Sequence, residues 1–406
     1  MKILFFLLTT ISLFAEVQLG IDRIFTDNFS GLLAGKRIGL ITNHTGINRQ
    51  LKSSIDLFKE RQGPYTLVAL FSPEHGLNGL ARAFESVESS TKKIKGVAIH
   101  SLHGKTRRPT SEMLKGIDLL VYDIQEIGCR SYTYASTLFY AMEEAAKRGI
   151  GVIVLDRPNP MGGVVVDGPM LKAPWRSFMG YVNVPYCHGM TIGELARFFN
   201  KEYKINCKLT VVPMTGWVRT MSFKDTNLAW IPTSPYIPEA DTPFYYASTG
   251  ILGALGLVNI GIGYTLPFKV VGAPWINAET FAASLNAQKL PGVSFVPFHY
   301  RPFYGMFKEK DCQGVKIVIT NSKTYRPLAV QFLLIGVLKS LYPKQFQEKV
   351  NHLTAAEKTS FCKVNGNEEM LKIIQSDRYI GWKLVGHDEE ERAAFLEKRK
   401  PYLLYH

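Results

Sequence analysis

The chain is short of cysteine, of acidic charge and of long apolar runs, and each shortage closes off a class of protein. Its five cysteines, Cys129, Cys187, Cys207, Cys312 and Cys362, are odd in number and far apart in 406 residues, which argues against a disulfide framework. No CxxC or HExxH pattern occurs, so a zinc site has no support in the sequence and no metal is expected. Beyond the first fifteen residues no run is long and charge-free enough to cross a bilayer, so no integral membrane span is expected. Acidic residues number 34 against 48 basic ones, and the net charge of +14 suits an anionic polymer; solvated surface lysines are the plainer alternative. Basic clusters interleaved with aromatics are missing, and nucleic acid is not an expected partner.

What is present begins with a leader. Lys2 precedes an apolar run from Ile3 to Leu8 that continues to a small residue at Ala15. This reads as a signal peptide over residues 1–15 and predicts a secreted or periplasmic protein. The remainder, 46% hydrophobic and 20% charged overall, has the composition of a globular chain with a substantial core.

Strands then alternate with helices. Apolar runs end in Thr42-Asn43, Phe71-Ser72, Ile99-His100, Tyr122-Asp123 and Leu155-Asp156, with an amphipathic helix through Leu138, Ala141, Met142 and Ala145 closing at Gly149. Continuously apolar strands joined by helices predict an α/β, Rossmann-like domain with a parallel sheet covered on both faces, over residues 16–265. The turn after the first strand, Thr42-Asn43-His44-Thr45-Gly46, has no GxGxxG, so NAD and FAD are not expected as cofactors. Thr191 and Glu194 are spaced as a capping box. The Pro- and Gly-rich segments 233–238 and 250–263 are candidates to wall a cleft. The pattern restarts near Phe268, which predicts a second, smaller α/β domain over residues 266–406.

The strand ends carry chemistry. In a parallel sheet they share one rim, where ligands of open α/β sheets bind. Glu74 and His75 follow the second strand, Ser101-Leu102-His103 the third, Asp123, Gln125 and Glu126 the fourth, and Asp156, Arg157 and Asn159 the fifth; Arg130 and Tyr132 lie just beyond the fourth. Each has a plainer reading, since Asp123 and Asp156 also suit helix caps or pairs with Arg130 and Arg157. Glu74, at a strand end beside an apolar wall, is the best candidate for an acid whose pKa desolvation raises.

The words Gly39-Leu40-Ile41-Thr42-Asn43-His44-Thr45-Gly46, Phe71-Ser72-Pro73-Glu74-His75-Gly76, Asp123-Ile124-Gln125, Tyr132-Thr133-Tyr134, Leu155-Asp156-Arg157-Pro158-Asn159-Pro160, His188-Gly189-Met190-Thr191 and Val271-Gly272-Ala273-Pro274-Trp275 stand in this order. In them the sequence resembles the exo-β-N-acetylmuramidases of glycoside hydrolase family 171, long a domain of unknown function. The resemblance implies a Rossmann-like catalytic domain with an auxiliary C-terminal one, and release of N-acetylmuramic acid from non-reducing ends of peptidoglycan fragments or muramyl saccharides. It implies Glu74 as general acid, with Glu85, Asp123 and Glu126 competing for the second catalytic role unless the substrate's acetamido group fills it. Asn43, His75, Arg82, Gln125, Arg130, Tyr132, Asp156, Arg157, Asn159 and His188 become candidates to bind the sugar or its lactyl carboxylate. The chain departs from the family's pattern at Cys187 and Ile262, where arginine is usual, at Tyr236, where asparagine is usual, and at Ala254, where glutamate is usual. Those departures imply an alternative, a sugar-binding protein with impaired catalysis.

Overall fold

A computed structural model describes residues 16–26, 28–82, 85–86, 94 and 96–406; the expected signal peptide lies outside the described residues. The strands are β1 (Arg37–Thr42), β2 (Thr66–Ser72), β3 (Ala98–Ser101), β4 (Leu119–Asp123), β5 (Gly151–Leu155), β6 (Asp167–Met170), β7 (Pro185–Cys187), β8 (Lys208–Val212), β9 (Val270–Ala273), β10 (Val293–Tyr300) and β11 (Cys312–Ile319). Six of them form a parallel sheet in the order β3-β2-β1-β4-β5-β8.

Alternation explains why its strands are apolar throughout. Leu120, Tyr122, Val152 and Val154 point into one core, while Leu119, Val121, Ile153 and Leu155 point into another. Successive side chains leave a strand on opposite faces, so a sheet covered twice needs apolar residues at every position. Each such side chain contributes about 1.5–3 kcal/mol on burial. The first face is covered by helices Tyr134–Ala146 and Ile192–Glu202, which bring Leu138, Met142, Leu195, Phe198 and Phe199. The second is covered by Ser54–Glu60 with Leu57 and Phe58. Thr191 and Glu194 make the expected capping box, and Gly149 takes the left-handed conformation (φ +67°) after the helix it closes.

The smaller part carries an antiparallel sheet, β10-β11-β9, and a helical layer. Its helix Pro327–Leu341 packs against Thr242–Ala254. That second helix corrects part of the sequence reading: Gly250 to Ala254 are its last turn rather than a wall loop. The stretch beyond them, to Gly263, is a loop, held at Asn259 by a two-way backbone bridge to Gly272.

Candidate active site

The carboxyl ends of the strands do not form one site; they divide into a plug and a cavity. Asp123, fully buried, receives Arg157 Nε at 2.6 Å and Nη2 at 2.9 Å, and Ser54 donates to it as well. Arg157 also reaches the Ile47 carbonyl. Asn43 Oδ1 accepts from the Thr45 amide and hydroxyl, Thr45 accepts from the Gln125 amide, and Gln125 Nε2 donates to the carbonyls of Glu126 and Pro158. Gly46 permits the interlock, because a Cβ there would stand 2.1 Å from Thr42 Oγ1 and 2.9 Å from the Asp123 carbonyl. What remains of this crevice, beside Gln125 and Arg157, is about 20 Å³, enough for a water. This is the point where strand order reverses and where related folds bind nucleotides; here the chain's own polar groups occupy it.

Four further candidates belong to the same buried scaffold. Asp156 accepts from Thr191 Oγ1, the Gly193 amide and Tyr405 Oη, and burial pushes its carboxyl up to about 7. Asn159 bonds the Met190 carbonyl and the Met161 amide. Arg130 donates to the carbonyls of Pro169, Val184, Val364 and Asn365, so its guanidinium is committed to backbone rather than to a ligand. Burial lowers it to about 10, which leaves it charged near neutral pH. His188 Nδ1 accepts from the Met190 amide, so the neutral ring carries its proton on Nε2, 4.0 Å from Glu126 Oε2. Burial pulls His188 down to about 3 and pushes Glu126 up to about 8, so near neutral pH this is a contact between uncharged groups and not an ion pair.

The cavity opens beyond the end of β2, against the segment that follows β4. It measures about 390 Å³ and is lined by Glu74, His75, Ser131, Tyr132, Thr133, Met179, Ser234, Tyr236, Ile237, Tyr246, Ile262, Phe268 and Val364. Strand β2 ends at Ser72, Pro73 cannot extend the ladder, and His75 and Gly76 turn the chain through left-handed conformations (φ +70° and +77°). That turn holds Glu74 and His75 at the cavity wall. Glu74 Oε2 accepts a hydrogen bond from the Thr133 hydroxyl, and Oε1 lies 3.6 Å from His103 Nε2. Thr133 is the N-cap residue of helix Tyr134–Ala146 and makes no side-chain cap; its hydroxyl donates to the carboxylate. Burial holds His103 below the ordinary imidazole pKa; Glu74 opposes that shift, while Arg107 and His75 add to it. His75 Nδ1 meets the Ala81 carbonyl at 2.7 Å, which fixes the tautomer and leaves Nε2 the unprotonated nitrogen of the neutral ring.

An aromatic wall faces the acid. Tyr132 Oη donates to Thr233 Oγ1 at 2.8 Å, Tyr134 Oη to the Thr233 carbonyl at 2.6 Å, and Ser131 Oγ joins Tyr186 and Tyr246. The rings of Tyr132 and Tyr134 meet edge-on at 4.9 Å. Tyr236 sits nearer the mouth, its phenol pushed up to about 12 by burial and by the Tyr304 hydroxyl. Arg82 is exposed beside Tyr304, and Glu85 spends its carboxylate on the Arg82 amide rather than on the cavity. Glu74, His75 and Tyr132 are therefore the expected site residues that line the cavity. Ile262 and Tyr236, two of the departures, also line it, whereas Cys187 is buried in β7 and Ala254 lies on its helix. Among the described residues no group of three or more His, Cys, Asp and Glu side chains is arranged to hold a metal ion.

Thr133 is the functional neighbour that sequence reasoning missed, and His103 was placed at the end of the third strand without being joined to Glu74. The signal for His103 lay in register. Ser72 of β2 pairs with Ser101 of β3, so residues two steps beyond each, Glu74 and His103, leave adjacent parallel strands side by side.

A carboxyl group, two imidazoles and phenols around a cavity of this size form a site for acid–base work on a polar ring compound. Family models cover both halves of the chain: the exo-beta-N-acetylmuramidase NamZ N-terminal model matches residues 38–241 and the C-terminal model residues 244–405. The peptidoglycan beta-N-acetylmuramidase NamZ of Bacillus subtilis (strain 168) is 40% identical over 390 residues, 96% of this chain and 92% of that protein. Two crystal structures of DUF1343 family proteins from Bacteroides fragilis NCTC 9343 are similar. One has a TM-score of 0.89 at 41% identity and the other 0.75 at 27%, each covering 96% of this chain and 99% of its own. With both halves matched and 40% identity to the Bacillus subtilis relative over nearly its whole length, the chain belongs to the exo-β-N-acetylmuramidase NamZ family.

Proposed function

We propose that the protein is an exo-acting glycosidase that removes N-acetylmuramic acid from the non-reducing ends of peptidoglycan fragments, with Glu74 as its general acid. The observation that carries this is Glu74 itself, a carboxylate presented to a cavity of single-sugar size and bonded to Thr133 beside His103. A protonated Glu74 delivers its proton to the glycosidic oxygen as the bond to the anomeric carbon breaks. The other carboxylates considered for the second role are held elsewhere: Asp123 by Arg157, Glu126 beside His188, Glu85 on the Arg82 backbone. The role is assigned to the substrate's own acetamido oxygen, which attacks the anomeric carbon from the opposite face.

Sugar release from an N-acetylmuramide tests both parts. Glu74→Gln lowers kcat by on the order of 10²–10⁴, and replacing the acetyl group by trifluoroacetyl slows the parent enzyme steeply because the attacking oxygen becomes less basic. Undiminished release by Glu74→Gln removes Glu74 from the mechanism, and a rate indifferent to fluorination removes the acetamido group. Saturable binding without turnover by the parent protein selects the alternative of a sugar-binding protein.

The apolar run from Ile3 to Leu8 supports export to the compartment that contains peptidoglycan. Expected is a mature chain whose N-terminus lies close to Glu16 in the exported fraction, read by N-terminal sequencing; a full-length cytoplasmic product contradicts export.

A further inference from the structure

The smaller domain does more than cover the sheet. Its loop from Arg301 to Phe307 presents Phe303, Tyr304 and Met306 to solvent at 62%, 42% and 37% exposure, which is costly for side chains of this kind. The loop is nonetheless fixed. The Phe303 amide donates to the Gly263 carbonyl at 2.7 Å, and Asn259 Nδ2 donates to the Met306 carbonyl at 3.1 Å. Gly263, at φ +90°, lies so close that a Cβ would stand 2.0 Å from the Tyr304 carbonyl. Exposed rings on a pinned backbone form a surface ready for contact.

That surface adjoins the cavity. Tyr304 Oη lies 3.3 Å from Oη of Tyr236, which lines the cavity. The Arg82 guanidinium, from the larger domain, stands 5.7 Å from the centre of the Tyr304 ring, and its charge acts on the Tyr236 phenol. At about 390 Å³ the cavity is at the small end of ligand pockets and takes one N-acylated sugar, so whatever follows that sugar in a glycan must leave through the mouth.

We propose that Tyr304 and Arg82 form the subsite for the leaving group, an N-acetylated amino sugar on the reducing side of the scissile bond. This rests on the glycosidase reading above. A sugar of that kind offers hydroxyls and an acetamido carbonyl to the guanidinium and the phenols, and apolar C–H groups to the aromatic surface. The smaller domain thereby completes the site, one wall of which belongs to each domain.

The test compares kcat/KM for two substrates that share the muramyl group. One is the disaccharide with β-linked N-acetylglucosamine as leaving group; the other is methyl β-N-acetylmuramide, which has nothing to place in the subsite. In Tyr304→Ala and in Arg82→Ala the preference for the disaccharide falls about tenfold, mainly through KM, equivalent to about 1.4 kcal/mol of lost binding. Tyr304→Phe, which keeps the ring, loses less. An unchanged preference in both alanine variants overturns the subsite, as does an equal loss on both substrates. Should Tyr304→Ala not fold, the exposed Arg82→Ala decides the matter alone. A parent protein that cleaves neither substrate overturns the glycosidase reading instead, which keeps the two failures apart.

Discussion

Glu74 and Glu126 show how one residue type takes two fates within a few positions of the ends of β2 and β4, strands that flank β1 in one sheet. Glu74 faces a cavity and a donor hydroxyl, whereas Glu126 is sealed inside, with Oε2 bonded to the Gly128 amide and Oε1 without a partner among the described residues. Burial is the main cause that raises Glu126 to about 8, and the nearby Asp156 charge adds to it. The folded pKa exceeds the ordinary 4.5, so the folded state binds the proton more tightly than the unfolded chain. The stability associated with this group is therefore complete below about pH 4.5 and is lost as pH rises through about 8. Glu126→Gln removes the titration, since an amide keeps an acceptor for Gly128 without a charge to bury. Expected is a variant whose advantage in unfolding free energy over the parent grows between pH 5 and pH 9, on the order of 2–4 kcal/mol at the upper end, read by urea unfolding. His188 works in the opposite sense: its folded pKa is depressed to about 3, and its contribution is lost as pH falls from about 6.5. A parent-to-variant difference that stays flat across pH 5–9 contradicts a buried, neutral Glu126.

Arg130 is best understood through the elements it joins. It follows β4, and its guanidinium spans the Pro169 carbonyl of β6, the Val184 carbonyl before β7, and the last carbonyls of helix Ala355–Asn365. A cation among terminal carbonyls suits the negative end of a helix and satisfies groups that no intrahelical donor reaches. Arg130→Gln leaves several of these carbonyls buried without donors; each unsatisfied one costs about 1–3 kcal/mol. Expected is a loss of several kcal/mol in urea unfolding, with KM of the folded variant unchanged because Arg130 is not at the cavity. A normal melting curve with a raised KM returns Arg130 to the ligand. The sequence could not separate this arginine from a ligand-binding one. Its place after an apolar strand was legible, but its partners are carbonyls 39 to 235 positions away, and carbonyls leave no mark in residue identity. The sheet was legible because alternation between two cores forces apolar residues at every strand position. Glu74 was legible only as a carboxylate at a strand end, a position it shares with Asp123 and Asp156, which the fold uses structurally. The division of the strand ends into plug and cavity was not, since Asp123 and Arg157 look the same whether they bind each other or a sugar.

At the scale of the molecule, the two family-model segments share one core. A single apolar cluster runs from Ile41 and Tyr122 of the sheet, through Tyr186, Ile251 and Phe281, to Leu334 and Phe395. The chain's last residues then return to the sheet: the Leu404 amide donates to Glu194, Tyr405 Oη donates to Asp156 at 2.6 Å, and the Tyr405 ring packs edge-on against Trp217 at 5.0 Å. Asp156 follows β5 and anchors the helix that starts at Ile192, so the tail is a tie between the end of the chain and the β5–β8 side of the parallel sheet. Tyr405→Phe keeps the ring packing and removes one donor from a buried carboxyl, a loss of about 1–3 kcal/mol. Its pH dependence follows from Asp156. Burial holds that carboxyl near 7, and Tyr405 is the first of the bonds that pull it back down. Without Tyr405 the charged form is harder to accommodate, so the variant loses more stability above pH 7 than at pH 5. Because the core is shared, the loss is expected to move one cooperative transition, monitored by calorimetry, rather than to split off a transition of the smaller domain. Two separated transitions in Tyr405→Phe, with only one shifted, show instead that the tail stabilises the sheet alone and that the common core does not couple the halves.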